Sequence, residues 1–269
     1  MSRIQRQPLN VLSVHGRMLM TRPLDTACEH VDPRPVEGQL MSVTYLERPV
    51  YGFGQVDDLL GLKGGTAKRW IDGYERRGRE YAPIVRERRL DNELVTWGEF
   101  VETKLLAAYR DAGVAMLRMR PVVDGLRQRF QVRYPLAVIR PYLDEDLRVV
   151  YEVQEQAGLE DSMRLVVEAN SGQYVLAPDV RRFRRIAVFE DVEGENIVAR
   201  FRPLGERRQV VIDPVRRFGS PVVRSTPTDV LAELVRAGEP VEWVAEQYDL
   251  TLDQVLDALE YERQQTTAA

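Results

Sequence analysis

Apolar residues recur along this chain with two different periods, and the changes of period divide it. Between residues 51 and 74, Val56, Leu59 and Leu60 stand at i, i+3 and i+4, the buried face of a short helix. Gly61-Leu62-Lys63-Gly64 is a turn, and Ala67, Trp70, Ile71 and Tyr74 then repeat at i, i+3, i+4 and i+7. The second helix so predicted leaves Thr66, Lys68, Arg69 and Asp72 facing outward. Two short helices across a glycine-containing turn are the pattern of a helix-turn-helix, whose second helix would enter a major groove. Pro83 with Ile84-Val85 predicts a small hairpin, or wing, beside it.

A long helix follows, opened by a Thr96/Glu99 capping box and striped with Trp97, Phe100, Val101, Leu105, Ala108 and Tyr109. Gly113 would stop it. A further helix is predicted from about Met116 to Phe130, started or kinked near Pro121. From 148 to 212 the period shortens. Val149, Tyr151 and Val153 alternate, as do Leu165 and Val167, then Tyr174 and Leu176. Ile186 to Phe189, Ile197 to Phe201 and Val210 to Ile212 complete about six short strands separated by turn signals, an antiparallel β-rich region. Helical spacing returns over Thr228–Arg236, Val241–Tyr248 and Leu252 to about Glu262, with Gly238 and Pro240 as breaks. Residues 1–40, with Pro8, Pro23, Pro33 and Pro35 and no sustained period, read as a disordered extension. The expected organisation is α+β: the extension, a winged helix-turn-helix over 41–140, a β-rich region over 141–213 and an acidic trihelical domain over 214–269.

Composition changes this picture little, but the distribution of charge changes it a good deal. The 269 residues are 44% hydrophobic and 30% charged, with a net charge of −4. Between Lys63 and Leu90, however, nine Lys/Arg face four Asp/Glu, a local excess of +5 beside the predicted helix pair. Phosphates attract such cations because neutralising them releases counterions. The expected DNA-facing residues are Lys63, Thr66, Lys68, Arg69, Arg76, Arg77, Arg79, Arg86, Arg88 and Arg89. From Asp229 to Glu262 the balance is opposite, ten acidic residues and one basic, Arg236. That surface would be repelled by DNA, so it is either a protein-contact face or a solvated one.

The chemical inventory argues against an enzyme. Cys28, His15 and His30 all precede Met41, and no Cys or His follows. That removes thiolate and imidazole metal sites and Ser–His or Cys–His catalysis from the patterned part. The acidic clusters Asp144-Glu145-Asp146 and Glu190 to Glu195 are contiguous loops, whereas metal catalysis needs carboxylates converging from separate elements. No catalytic residue, metal site or cofactor is expected. No apolar run approaches the roughly 20 residues of a membrane span, so a cytoplasmic protein is expected.

Two stretches carry a family resemblance. Leu59-Leu60-Gly61-Leu62, Thr66-Ala67-Lys68-Arg69-Trp70-Ile71, Gly73 to Arg79 and Ala107 to Val114 resemble the MerR-like winged helix of VapB-type antitoxins. The departure is Asp57, where that family usually has a small residue. Pro221-Val222-Val223-Arg224 and the helices after it resemble a trihelical domain of unknown function, numbered 433, that often accompanies ribonuclease toxins. There Ser225 and Pro227 depart from the motif, while Thr226 matches. Together the resemblances imply an antitoxin that binds operator DNA at its own promoter and neutralises a PIN-like ribonuclease toxin with an acidic, magnesium-dependent site; because a single winged helix reads only a short site, a homodimer on a pseudo-palindromic operator is expected. Arg181, Arg182, Arg184 and Arg185 around Phe183 would then be toxin-binding, their guanidinium groups pairing with such carboxylates. The other reading of the four is a solvated helix turn or strand edge. The alternative function is a stand-alone MerR-like regulator that senses a ligand.

Overall fold

The computed structural model describes residues 45–90, 92–111, 116–161, 164–169, 172–192 and 194–268. The expectations for 1–40 and for Gly113 fall outside them. Strand β1 (Pro49–Gly52) runs into helix α1 (Phe53–Leu59), and α2 (Thr66–Ile71) follows a short turn. Val56, Ala67 and Ile71 are fully enclosed, as the helical spacing predicts.

Hairpin β2 (Tyr74–Arg76) with β3 (Arg79–Tyr81) comes next, paired Tyr74 to Tyr81 and Arg76 to Arg79. Its loop residues, Arg77 and Gly78, have φ of 54° and 72°. Positive φ at both central positions suits a tight turn that follows the strand twist. The hairpin thus forms earlier than predicted. Ile84 and Val85, expected on it, are buried, and both amides donate to the Trp70 carbonyl at 2.8 and 3.1 Å. Apolar side chains and the free carbonyls at the end of α2 hold that segment inward.

Strand β4 (Leu94–Thr96) pairs antiparallel with β1 and leads into the long helix α3 (Trp97–Asp111). The capping box forms: the Thr96 amide donates to Glu99 Oε2 at 2.9 Å, and the Glu99 amide to Thr96 Oγ1 at 3.3 Å. A 3-10 turn (Met116–Arg118) precedes α4 (Arg120–Phe130), with Pro121 in the first turn.

The middle of the chain holds the largest departure from expectation. Val149, Tyr151 and Val153 do not form a strand; they lie on helix α5 (Leu147–Gln156). Its buried residues, Leu147, Val150, Val153 and Gln154, have helical spacing that the chance alternation of 149, 151 and 153 conceals. Gln154 ties the helix to the next hairpin by accepting the amides of Leu165 and Val166 at 2.9 and 3.2 Å. That hairpin, β5 (Val166–Glu168) with β6 (Tyr174–Leu176), and β7 (Ala187–Val192) with β8 (Glu195–Phe201) fall where predicted. They flank a helix, α6 (Pro178–Ile186), and each is a separate two-stranded sheet. The architecture is α+β, with small antiparallel sheets among helices.

Strands β9 (Val210–Val211), β10 (Val222–Val223) and β11 (Thr226–Pro227) form a three-stranded antiparallel sheet in the order β11-β10-β9. Helices α7 (Thr228–Arg236), α8 (Val241–Gln247) and α9 (Leu252–Ala268) follow. The predicted trihelical unit therefore carries its own small sheet.

Contacts cross the boundaries that changes of period suggested. The Trp97 indole N–H on α3 donates to the Val198 carbonyl at 2.7 Å, and its ring lies 5.7 Å from that of Phe201. Tyr51 donates its hydroxyl to the Gly219 carbonyl at 2.7 Å. A Cβ on Gly219, whose φ is 76°, would collide with the Tyr51 ring, so glycine is required on both counts.

Candidate nucleic-acid interface and an arginine helix

Asp57 sets the geometry of the helix pair. It is buried in α1, and its two oxygens accept the amides of Gly65 (2.6 Å) and Ala67 (2.7 Å) at the start of α2. First-turn amides have no partner within their own helix, so this carboxylate caps α2 from the neighbouring helix. The residue at which the sequence departs from the antitoxin pattern is thus the one that fixes the turn.

On α2, Lys68 and Arg69 are exposed, as the spacing predicts. Lys68 Nζ lies 3.1 Å from Glu93. Thr66 and Asp72, also expected outward, are buried. Thr66 Oγ1 accepts from Arg69 Nη2 at 2.9 Å, which steadies the arginine, so the residue supports the surface without forming part of it. Lys63 is exposed in the turn between the helices.

Arg76, Arg77 and Arg79 are exposed around the tip of the β2–β3 hairpin. Tyr74 and Tyr81 stack at its base with ring centroids 4.5 Å apart, and the Arg79 guanidinium lies 5.4 Å from the Tyr81 ring. These aromatic contacts stiffen a hairpin too short to be stable alone. The sequence signal for it was Arg77-Gly78 between Tyr-Glu-Arg and Arg-Glu-Tyr, a near-mirror alternation.

Arg86 is not available to DNA. Only 5% of it is exposed. It donates to Asp72 Oδ1 and Glu99 Oε1, both at 2.7 Å, and to the Leu94 carbonyl at 2.8 Å. Burial acts to lower its pKa, but the hydrogen bonds and charges of Glu99 and Asp72 outweigh it and raise it. Arg86 is therefore the cation of a buried network that joins the end of α2, β4 and the start of α3. Arg88 and Arg89 beside it stay exposed, with Arg89 Nε 3.7 Å from Asp72.

The second cationic surface is α6. Val180 and Phe183 face inward, where the Phe183 ring lies 5.7 Å from Phe201 and 5.8 Å from Tyr142. Arg181, Arg182, Arg184 and Arg185 cover the rest of the helix and are all exposed. Arg182 pairs with Asp179 at 3.6 Å; among the described residues the other three form no ion pair. Like charges three and four residues apart on one helix repel weakly, and because all four side chains are exposed, water and counterions screen that repulsion.

Among the described residues no group of His, Cys, Asp and Glu side chains is placed to hold a metal ion, and no helix is long and apolar enough to cross a membrane. Residues 210–261, from β9 into α9, match the family model "Protein of unknown function (DUF433)". The chain is 42% identical over 226 residues to "Uncharacterized protein Rv2308" of Mycobacterium tuberculosis, covering 82% of this chain and 93% of that one. It is also 32% identical over 230 residues to "Putative antitoxin VapB45" of the same organism, with 79% and 93% covered. The chain belongs to the VapB45 family. The crystal structure of Rv2018 from Mycobacterium tuberculosis has the same fold, with a TM-score of 0.61 and 26% identity over 78% of this chain and 97% of that one. The VapB45-family alignments thus extend far beyond the DUF433 match and take in most of the described residues.

Proposed function

We propose that this protein is the DNA-binding antitoxin of a toxin–antitoxin pair and represses its own promoter. The observation that carries the DNA-binding half is the set of exposed cations Lys63, Lys68, Arg69, Arg76, Arg77, Arg79, Arg88 and Arg89 on one helix pair, its hairpin and the irregular segment after it, in a chain of net charge −4. In this reading α1, α2 and β2–β3 are a MerR-like winged helix. Helix α2 enters the major groove and the hairpin grips phosphates. A homodimer would place two copies on a pseudo-palindromic operator.

The relation to "Putative antitoxin VapB45" supports the antitoxin half. The exposed arginines of α6 supply the matching chemistry, because a PIN-like ribonuclease presents clustered carboxylates that guanidinium groups can engage in pairs. The DUF433 part adds a protein-facing surface. Trp243, Leu252 and Leu256 are each more than 40% exposed among acidic neighbours on α8 and α9. The protein itself would then act in the cytoplasm by binding rather than catalysis.

The test is fluorescence anisotropy with DNA from upstream of the gene and a shuffled control, together with co-expression beside the adjacent open reading frame. Selective binding of the upstream DNA and rescue of growth from that toxin are the expected results. Equal affinity for both DNAs, with no rescue, overturns the proposal.

A further inference from the structure

Two surfaces of this chain carry opposite charge, and most of that charge has no partner within the chain. One is α6. Pro178, Arg181, Arg182, Arg184 and Arg185 line a groove of about 450 Å³ on it, and no carboxylate does. The other is the outer side of α8 and α9. From Asp229 to Glu262 there are ten acidic residues and one basic. Asp249 pairs with Arg224 at 2.9 Å, but Glu242, Glu246 and Asp253 are exposed and form no ion pair among the described residues.

The acidic surface also carries apolar anchors. Trp243, Leu252 and Leu256 are 41%, 43% and 44% exposed. Trp243 and Glu246 stand at i and i+3 on α8, so indole and carboxylate share one face, as Leu252 and Leu256 do at i and i+4 on α9. An aromatic anchor with a charged rim is the usual make-up of a protein contact, and Trp and Arg are the residues that most often dominate one. A guanidinium group pairs with carboxylates and stacks flat on an indole, while its alkyl stem covers leucine.

Within one chain the two surfaces do not meet, since no ion pair among the described residues joins α6 to α8 or α9. Contact of either surface with its own like in another molecule sets equal charges against each other and is repelled. The complement of α6 is therefore the α8–α9 face of another molecule, and a second copy of this chain carries one.

We propose that α6 of one copy of this chain docks on the α8–α9 face of a second copy. The arginine groove receives the partner's Trp243, and the guanidinium groups pair with the partner's Glu242, Glu246 and Asp253. The contact covers the arginines assigned above to the toxin, so the toxin's carboxylates must displace the second copy to reach them. That consequence rests on the toxin-facing reading of α6; the docking itself does not.

Sedimentation velocity of the full chain alone, over a concentration series, tests it. The parent should associate, with an association constant that falls about tenfold or more when salt is raised from about 0.05 M to about 0.5 M, because screening weakens exposed charge pairs. Changing the four α6 arginines together to Glu, or Glu242, Glu246 and Asp253 together to Arg, should leave each variant monomeric, with circular dichroism confirming that both are folded. Mixed together, the two variants should form a complex, since the acidic α6 of one then meets the basic face of the other. Trp243→Ala should weaken association of the parent about tenfold. A parent that stays monomeric overturns the proposal, as does association that survives both sets of charge reversal, or a mixture of the folded variants that stays monomeric. Neutralisation of the toxin is measured separately by the ribonuclease assay, so failure of one reading leaves the other standing.

Discussion

The Asp57 carboxylate on α1 accepts the amide of Ala67, the second residue of α2, at 2.7 Å. Its other oxygen holds Gly65 at 2.6 Å, so one buried side chain fixes both the turn and the direction of the second helix. Asp57→Ala strands the buried Ala67 amide, leaves the amide of exposed Gly65 to water and removes a cap, at a cost of about 2 kcal/mol. Urea unfolding should show that loss, and promoter affinity should fall although no cation has been touched. Asp57→Asn, which keeps one acceptor oxygen, should recover part of both. Unchanged stability in Asp57→Ala would mean that the turn is held by other contacts.

Arg86 and Arg88 stand two residues apart in the same charge run and should behave oppositely. Arg86→Met leaves Asp72 and Glu99 buried without their cation, and breaking such a pair from one side costs about 3–5 kcal/mol. Arg88→Ala removes an exposed charge and should stay within about 0.5 kcal/mol of the parent. Chemical denaturation separates them. A stable Arg86→Met protein with weakened DNA binding would return Arg86 to the surface.

That contrast also marks what the sequence makes legible. Helices α1, α3, α7 and α8 announce themselves by three- and four-residue apolar spacing and by local signals such as Thr96/Glu99 or Gly238 and Pro240. Lys68 and Arg69 follow from the same periodicity. Arg86 does not. Its partners Asp72 and Glu99 lie 14 and 13 residues away, and charge in a run looks alike whether solvated or buried. Helix α5 is hidden because Val149, Tyr151 and Val153 alternate by chance, while its real stripe includes Gln154, which is polar and is buried to bond β5. The bond from Tyr51 to the Gly219 carbonyl spans 168 residues, a juxtaposition that no local pattern encodes.

Glu102 on α3 predicts the pH dependence of stability. It is fully buried, with the Leu136 amide on one oxygen at 3.1 Å and Arg127 3.6 Å from the other. Burial pushes its carboxyl up to about 7, with Arg127 pulling it down less strongly. The folded chain therefore keeps this proton where the unfolded chain has released it. The stabilisation is fully present below the usual carboxylate value of 4.5 and is lost as pH rises through about 7. The loss by pH 8 is on the order of 3 kcal/mol. Glu102→Gln, which has no proton to lose, should be favoured over the parent increasingly between pH 5 and pH 8, at roughly that size. Parallel stability curves for the two proteins would refute the assignment.

The two halves of the proposed DNA surface should separate by salt. Lys68→Glu with Arg69→Glu reverses charge on the groove-facing helix and should abolish selective promoter binding while leaving the melting temperature close to the parent, since both side chains are exposed. Arg76, Arg77 and Arg79 changed together to Ala should lower affinity for any duplex. The slope of log affinity against log salt should fall by about one unit for each phosphate that is no longer neutralised. Normal promoter affinity in the Lys68/Arg69 variant would end the winged-helix reading.

The arginines of α6 face outward while Val180 and Phe183 hold the helix down, so the four can be removed without disturbing the core. Changing Arg181, Arg182, Arg184 and Arg185 together to Ala should leave thermal stability equal or slightly higher, because three like charges without partners are relieved at once. Their removal should nevertheless weaken neutralisation of the toxin strongly. Guanidinium–carboxylate pairs dehydrated at an interface cost about 2–5 kcal/mol each when one partner is truncated. Rim pairs cost at most about 1 kcal/mol. The full chain is the right form to test, since Trp97 bonds Val198 and a fragment cut near residue 140 would lose that anchor. The readout is ribonuclease activity against concentration of the parent and the variant, with circular dichroism as the check on folding. A shift of tenfold or more in the half-inhibiting concentration, about 1.4 kcal/mol, is the expected result. An unshifted curve would make α6 a solvated helix and move the toxin contact to the exposed Trp243, Leu252 and Leu256 face, where the same assay on Trp243→Ala would follow.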